Sequence, residues 1–266
     1  MARAVRVGNA TPTRGQPGHA DPVASRAAER AARPQVRLLG GFELTISGAP
    51  VAIPTALQRA VAYLALRGRC GRSRLAGTLW PDATESRAMA NLRTGIWRIN
   101  QVAPGVIGGH VDVLALAPEV DVDVTRLIAA ARAVLEGATD VPLERTLQHV
   151  EGDLLPDWTD DWLTVDRERL RQLRLHVLET LAGRLAAAGL FGIAMEAALT
   201  ALRADPLRET AHRAVIRIHL AEGNLAEAVA AYRHCRALLA RDVGVAPSAE
   251  TTQLVSTLPR ALTASA

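Results

Sequence analysis

Two glycines, Gly189 and Gly223, stand 34 residues apart, and the sequence around them repeats at that distance. Aligned on these glycines, AAAGLFGIAMEAAL runs in step with LAEGNLAEAVAAYR, which places Ala194 on Ala228 and Ala198 on Tyr232. Thirty-four residues is the length of one tetratricopeptide hairpin. In that unit glycine ends the first helix and small residues let the second pack closely. Pro206 falls where such a repeat closes. A hairpin of this kind cannot bury its apolar face alone, so the pattern demands helices stacked on either side. Two unrelated amphipathic helix pairs are the plainer reading of the same spacing. The flanking sequence supplies the helices in either case, with helical periodicity over 123–137, 142–151, 160–188, 191–204, 208–221, 225–241 and 248–258.

The first half has a different texture. Residues 1–34 are rich in Ala, Pro, Gly and Arg without periodicity and read as a disordered arm. From Gln35, VRLLGGFELTISG and APVAIP suit short strands broken by glycine. A helix then opens at Pro54 or Thr55 and runs through ALQRAVAYLALRG. A second, short helix follows with Ser73 as its expected N-cap and Pro81 as its stop. A third starts near Thr84 to Ser86 and reaches about Val102. GVIGGHVDVLALAP reads as two strands around a Gly108-Gly109-His110 turn. Strands, three helices and a terminal hairpin outline a winged helix-turn-helix. The expected fold class is therefore an α+β N-terminal winged helix-turn-helix followed by an all-α tetratricopeptide-like domain. The expected division is arm 1–34, winged helix 35–117, helical domain 118–258 and tail 259–266.

Charge follows the same division. All 31 basic residues are arginine. Six against two acids give +4 over 1–34, nine against four give +5 over 35–117, and sixteen against twenty-one give −5 over 118–266. A basic block ahead of an acidic one suits a first domain that meets a polyanion. Cys70 and Cys235 have neither zinc spacing nor a disulfide framework, which fits a reducing, cytoplasmic setting. No apolar run reaches membrane-spanning length.

The third helix carries the most specific signal. At helical spacing Met89, Leu92, Ile96 and Ile99 share one side, expected to face the core. Arg87, Asn91, Thr94, Arg98 and Gln101 share the other, where Glu85 at the start is the one carboxylate. Arginine can fork onto guanine, asparagine and glutamine onto adenine, and threonine onto a thymine methyl or a phosphate. Arg87, Asn91, Thr94 and Arg98 are the candidate base-reading residues. Arg59, Arg72, Arg74 and Arg93 are candidate phosphate contacts, which add affinity without sequence information.

Catalytic and metal chemistry find little footing. Asp153, Asp157, Asp160 and Asp161 cluster in GDLLPDWTDDW, yet Thr159 or Asp160 serves there as an N-cap and acids suit the helix start. His212 and His219 lie seven apart without a partnering carboxylate and read as histidines at the core's edge. RGRCGRS lacks the spacing of a phosphate-cradling loop. No catalytic residue, metal site or cofactor is expected.

ALQRAVAYLALRG, SRLAGTLWPD and ANLRTGIWRIN together resemble the DNA-binding half of the SARP-type bacterial activators, the Streptomyces antibiotic regulatory proteins. LLPDWTDDWLTVDRERLRQLRLHVLETLAGRL and the DPLRETAHRAVIRIHLAEGNLAEAVAAYRHCRALLARDVGVAPSAE that follows are similar to their bacterial transcriptional activator domain. The resemblance covers residues 35–258. It implies an OmpR-like winged helix whose third helix, here with Arg87, Asn91, Arg93, Thr94 and Arg98, enters the major groove. It also implies binding to double-stranded promoter DNA at direct repeats, as a homodimer or head-to-tail pair, and recruitment of RNA polymerase to a biosynthetic or neighbouring gene cluster. It implies the short form of the family, without an ATPase or sensor domain. The chain departs from the family in reading RINQ where an arginine-rich ending is usual, and its GVIGGHVDV wing lacks arginine. Those features favour a second reading, a tetratricopeptide-like interaction adaptor with a degenerate winged helix.

Overall fold

The computed structural model describes residues 33–138 and 152–256, with 143, 146 and 147 between them. Nearly all of the expected arm, the expected tail and the helix expected over 142–151 lie outside the described residues.

The chain opens with a meander of β1 (Gln35–Arg37), β2 (Glu43–Ile46) and β3 (Ala49–Pro50). A later strand, β7 (Asp121–Val122), joins the free edge of β1 in parallel, pairing Val36 with Val122. Between them lie α1 (Thr55–Arg67), α2 (Arg72–Leu79), α3 (Glu85–Val102) and a second sheet. That sheet has β4 (Cys70–Gly71), β6 (Val113–Leu116) and β5 (Ile107–His110) side by side. The arrangement is a winged helix-turn-helix, with α2 packed on α3 and the β5–β6 hairpin as the wing.

Two local expectations change. Helix α2 starts one residue ahead of Ser73, with Gly71 as N-cap, because Gly71 still pairs with Val113 in β4 and the helix leaves the strand directly. The wing does not turn at Gly108-Gly109-His110. Those residues belong to β5, and the chain reverses at Val111 and Asp112. The reason is cross-strand proximity: a Cβ on Gly109 would lie 2.0 Å from the Val113 carbonyl oxygen, so glycine is needed for pairing.

The second half stacks α4 (Asp123–Leu135), α5 (Thr164–Ala187), α6 (Phe191–Ala204), α7 (Glu209–Glu222), α8 (Leu225–Asp242) and α9 (Ala249–Ser256). From α5 to α8 each helix packs on the next, and α9 closes over α7 and α8. Gly189 and Gly223 adopt left-handed φ values of 77° and 87° at the ends of α5 and α7, the geometry that stops a helix and reverses the chain. Ala194, Ala198 and Ala228 are fully buried, so the aligned small residues are the contact points of a tetratricopeptide-like array. The long helix begins at Thr164 rather than 160, because Asp160 turns its carboxylate to Arg59 and a short 3-10 turn spans Asp161–Leu163. No described helix is long and apolar enough to cross a membrane.

The halves share one buried cluster that runs from Val36 to Ile218. Several contacts close the seam. The Asp123 carboxylate accepts the Leu38 and Leu39 amides, each at 2.9 Å, and the Val124 amide at 2.7 Å. Leu39 also bridges to Leu154, and Tyr63 meets Trp162 edge-on with ring centroids 5.2 Å apart. Arg67 pairs with the buried Asp166 at 2.9 Å.

Candidate nucleic-acid interface

Helix α3 sets the geometry of the site. Its buried residues are Ala88, Leu92, Gly95 and Ile99. Of the four residues expected inward, Leu92 and Ile99 are buried, while Met89 and Ile96 sit half-buried at one edge. The cause is Gly95. A Cβ there would fall 2.5 Å from Leu57 Cδ2, so the missing side chain lets α3 lie close on α1. An interior glycine costs a helix roughly 1 kcal/mol, and this close approach offsets it.

Placing residues at about 100° each, the helix is turned by roughly 50° from the expected orientation. The pole opposite the core is then held by Ala90 and Trp97, with Arg93, Thr94 and Gln101 beside it. All five are exposed. Trp97 is 62% exposed, the largest outward side chain of the helix. Sequence reasoning left it out because it took Met89 and Ile96 as the inward centre.

The structure divides the candidate base-reading set. Thr94 and Arg98 are exposed on the open side of α3. Arg87 is exposed and Asn91 half-buried, and both line a cleft shared with Arg59, Asp160 and Trp162. The phosphate set divides as well. The guanidinium groups of Arg74 and Arg93 are exposed and bond to no described residue. Arg59 donates to Asp160 at 3.1 Å. Arg72 donates through Nε to the Val111 carbonyl at 2.8 Å, while its amide bonds to the Asp112 carbonyl at 2.9 Å. Arg72 thus braces the wing tip, where Val111 is 85% exposed.

Around the open side of α3 the electrostatics are one-sided. Arg93 and Arg98 bond to no described carboxylate, so their positive charge faces solvent, whereas Arg87 opens onto the cleft that also holds Asp82, Asp160 and Asp161. In the second half, by contrast, several arginines are paired with carboxylates: Arg171 with Glu168 and Asp205, Arg174 with Asp153, and Arg208 with Glu179. His212 is buried with Nε2 against the Pro206 carbonyl at 2.8 Å, and burial holds its pKa below the ordinary histidine value.

A winged helix that presents an uncompensated cationic helix, backed by an array of helix hairpins, defines the two-part bacterial transcription regulators. Residues 120–258, more than half of the chain, match the bacterial transcriptional activator domain. The chain belongs to that family and is a SARP-type regulator. It is similar to the regulatory protein AfsR of Streptomyces griseus, 28% identical over 240 residues, and to AfsR of Streptomyces coelicolor, 31% identical over 226. These alignments take in 85% and 79% of this chain but 24% and 22% of the relatives, so the chain spans about a quarter of their length. Its fold is also that of Mycobacterium tuberculosis EmbR, a structure solved in complex with a low-affinity phosphopeptide. The TM-score is 0.70 at 20% identity, covering 84% of this chain and 64% of that one.

Proposed function

We propose that this chain is a cytoplasmic, sequence-specific DNA-binding transcriptional activator that binds direct repeats in promoter DNA and recruits RNA polymerase, serving a biosynthetic or neighbouring gene cluster. Residues 35–117 act as the DNA-binding part and 118–258 as the activator part, with two copies lying head to tail on adjacent repeats. The observation that carries the reading is the open side of α3, where arginines face solvent without a carboxylate. Phosphates supply the missing counter-charge. Thr94 and Arg98 read base edges from the open side, and Arg87 and Asn91 read from the flank that borders the cleft. Arg74 and Arg93 hold phosphates. Arg72 orders the wing and meets the backbone beside it, and Arg59 contributes to the extent that Asp160 releases it. The AfsR relatives are regulatory proteins, and this reading asks for no catalytic step.

Replacing Arg98 tests the assignment. Arg98→Ala weakens binding to a selected repeat by about 1–3 kcal/mol more than binding to random duplex. Equal loss on both DNAs removes Arg98 from base reading.

The interaction-adaptor reading keeps one observation in its favour. The wing offers no arginine, and its tip residue Val111 is apolar and exposed. On that reading the helical array binds a protein and the winged helix selects no DNA sequence.

A further inference from the structure

We infer that Trp97 is a base-reading residue, which packs its indole against the 5-methyl group of a thymine in the major groove. The inference rests on the DNA-binding reading above and deepens it by naming a base that the site takes.

Orientation comes first. Ala88, Leu92, Gly95 and Ile99 fix the buried side of α3, and Trp97 stands at the opposite pole. A helix seated in the major groove sets its outward pole deepest among the base edges. Ala90, seven residues earlier at the same pole, carries only a methyl group, so nothing bulky holds the helix away from the groove floor. The missing side chain at Gly95 lets this face of α3 lie against Leu57 of α1.

The chemistry of the patch selects the target. Trp97 is the most exposed large apolar residue of α3: its neighbours on the exposed side are Ala90, Arg93, Thr94, Arg98, Asn100 and Gln101, with Ile96 half-buried beside it and the exposed Val102 on another flank. A surface that docks a protein gathers several large apolar side chains at its centre, and here there is one indole in a polar, cationic frame. Arg93, one turn before it, and Arg98, beside it, bond to no described residue. Such a frame suits a groove walled by phosphates, in which the apolar feature on a base edge is the thymine methyl. Indole offers that methyl a broad apolar face.

The test uses the full chain and a fluorescein-labelled duplex carrying one copy of the repeat that the wild-type protein selects from a random pool. Each thymine of the repeat is replaced in turn by deoxyuridine, which removes only the methyl group. Wild-type affinity, read by anisotropy, is expected to fall about fourfold at one position, the amount that one buried methyl carries. Trp97→Ala is expected to bind the parent duplex about tenfold more weakly and to lose the distinction between thymine and deoxyuridine at that position. Trp97→Phe is expected to retain part of it. The side chain is exposed, so all three proteins should melt alike. A wild type indifferent to every deoxyuridine overturns the inference, as does an unchanged deoxyuridine effect in Trp97→Ala. Loss confined to a two-repeat duplex overturns it too, and places Trp97 in contact with a second copy. If the wild type selects no sequence at all, the DNA-binding reading fails and this inference with it; selection without a thymine effect removes the inference alone.

Discussion

Leu57 Cδ2 occupies the space where a side chain on Gly95 would begin: a Cβ at that position falls 2.5 Å away. With Gly95 on the buried face beside Ala88, Leu92 and Ile99, α3 lies close on α1, and Ala90 and Trp97 stand outermost. Gly95→Ala should therefore forgo the gain of about 1 kcal/mol that helix propensity alone would give. In a Leu57→Ala background the room returns, and the same change should stabilise by about that amount. Urea denaturation of the four proteins measures the coupling. Additive effects would mean that the contact does not hold the helix.

Arg67 of α1 is the counter-charge of Asp166, a buried carboxylate on α5. Burial raises the Asp166 pKa above the ordinary aspartate value, although Arg67 and Arg169 draw it down. Arg67→Ala leaves that carboxylate with only the more remote charge of Arg169 and should cost about 2 kcal/mol, below the range for a fully buried pair because Arg67 itself is partly exposed. Adding Asp166→Asn should recover most of the loss. A double variant as unstable as the sum of the two single changes would remove the pair from the seam.

Glu209 ties the last helix down. Its Oε2 accepts the Ser248 amide and hydroxyl at 2.8 Å each and the buried Thr251 hydroxyl at 2.7 Å. Burial pushes the carboxyl pKa up, but these bonds and Arg213 outweigh it, and the net value lies below that of an ordinary glutamate. A depressed native pKa means stability that is present above the unfolded value and lost as pH falls through the native one. The advantage of wild type over Glu209→Gln should thus be full at neutral pH and fade once pH drops below the ordinary glutamate range. Thermal melts at several pH values check it, and an advantage that grows on acidification would contradict it.

Much of this is legible in the amino-acid sequence. The bounds of Phe191–Ala204 follow from apolar spacing and the preceding glycine, and the 34-residue repeat sets the hairpin geometry. What stayed hidden depends on partners distant in sequence. The Gly108-Gly109 pair looked like a turn, and only the proximity of Val113 shows why glycine sits within a strand. Likewise, nothing near VDVDV announces that Asp123 will accept amides from Leu38 and Leu39, some 85 residues away. Trp97 escaped notice for a related reason. The size of Met89 and Ile96 suggested the core side, whereas the absence of a side chain at Gly95 defines it.

Phosphate contacts should separate from base contacts by their salt dependence. Arg74→Ala should lower affinity evenly on all sequences and reduce the salt slope by about one. Arg59 is held by Asp160, so Arg59→Ala should do less in the wild-type background. In an Asp160→Asn background, where Arg59 is released, it should do as much as Arg74→Ala. Equal effects of Arg59→Ala in both backgrounds would mean that the ion pair does not compete with DNA.

The central claim is that α3 makes this chain a reader of DNA sequence, and genome-wide footprinting of the protein in cells tests it most directly. The account predicts a few sharp sites that share a directly repeated motif in promoter regions, sites that Arg98→Ala erases while the protein stays folded. The absence of any shared motif, alongside a folded protein at normal abundance, would contradict it and leave the helical array as the working surface.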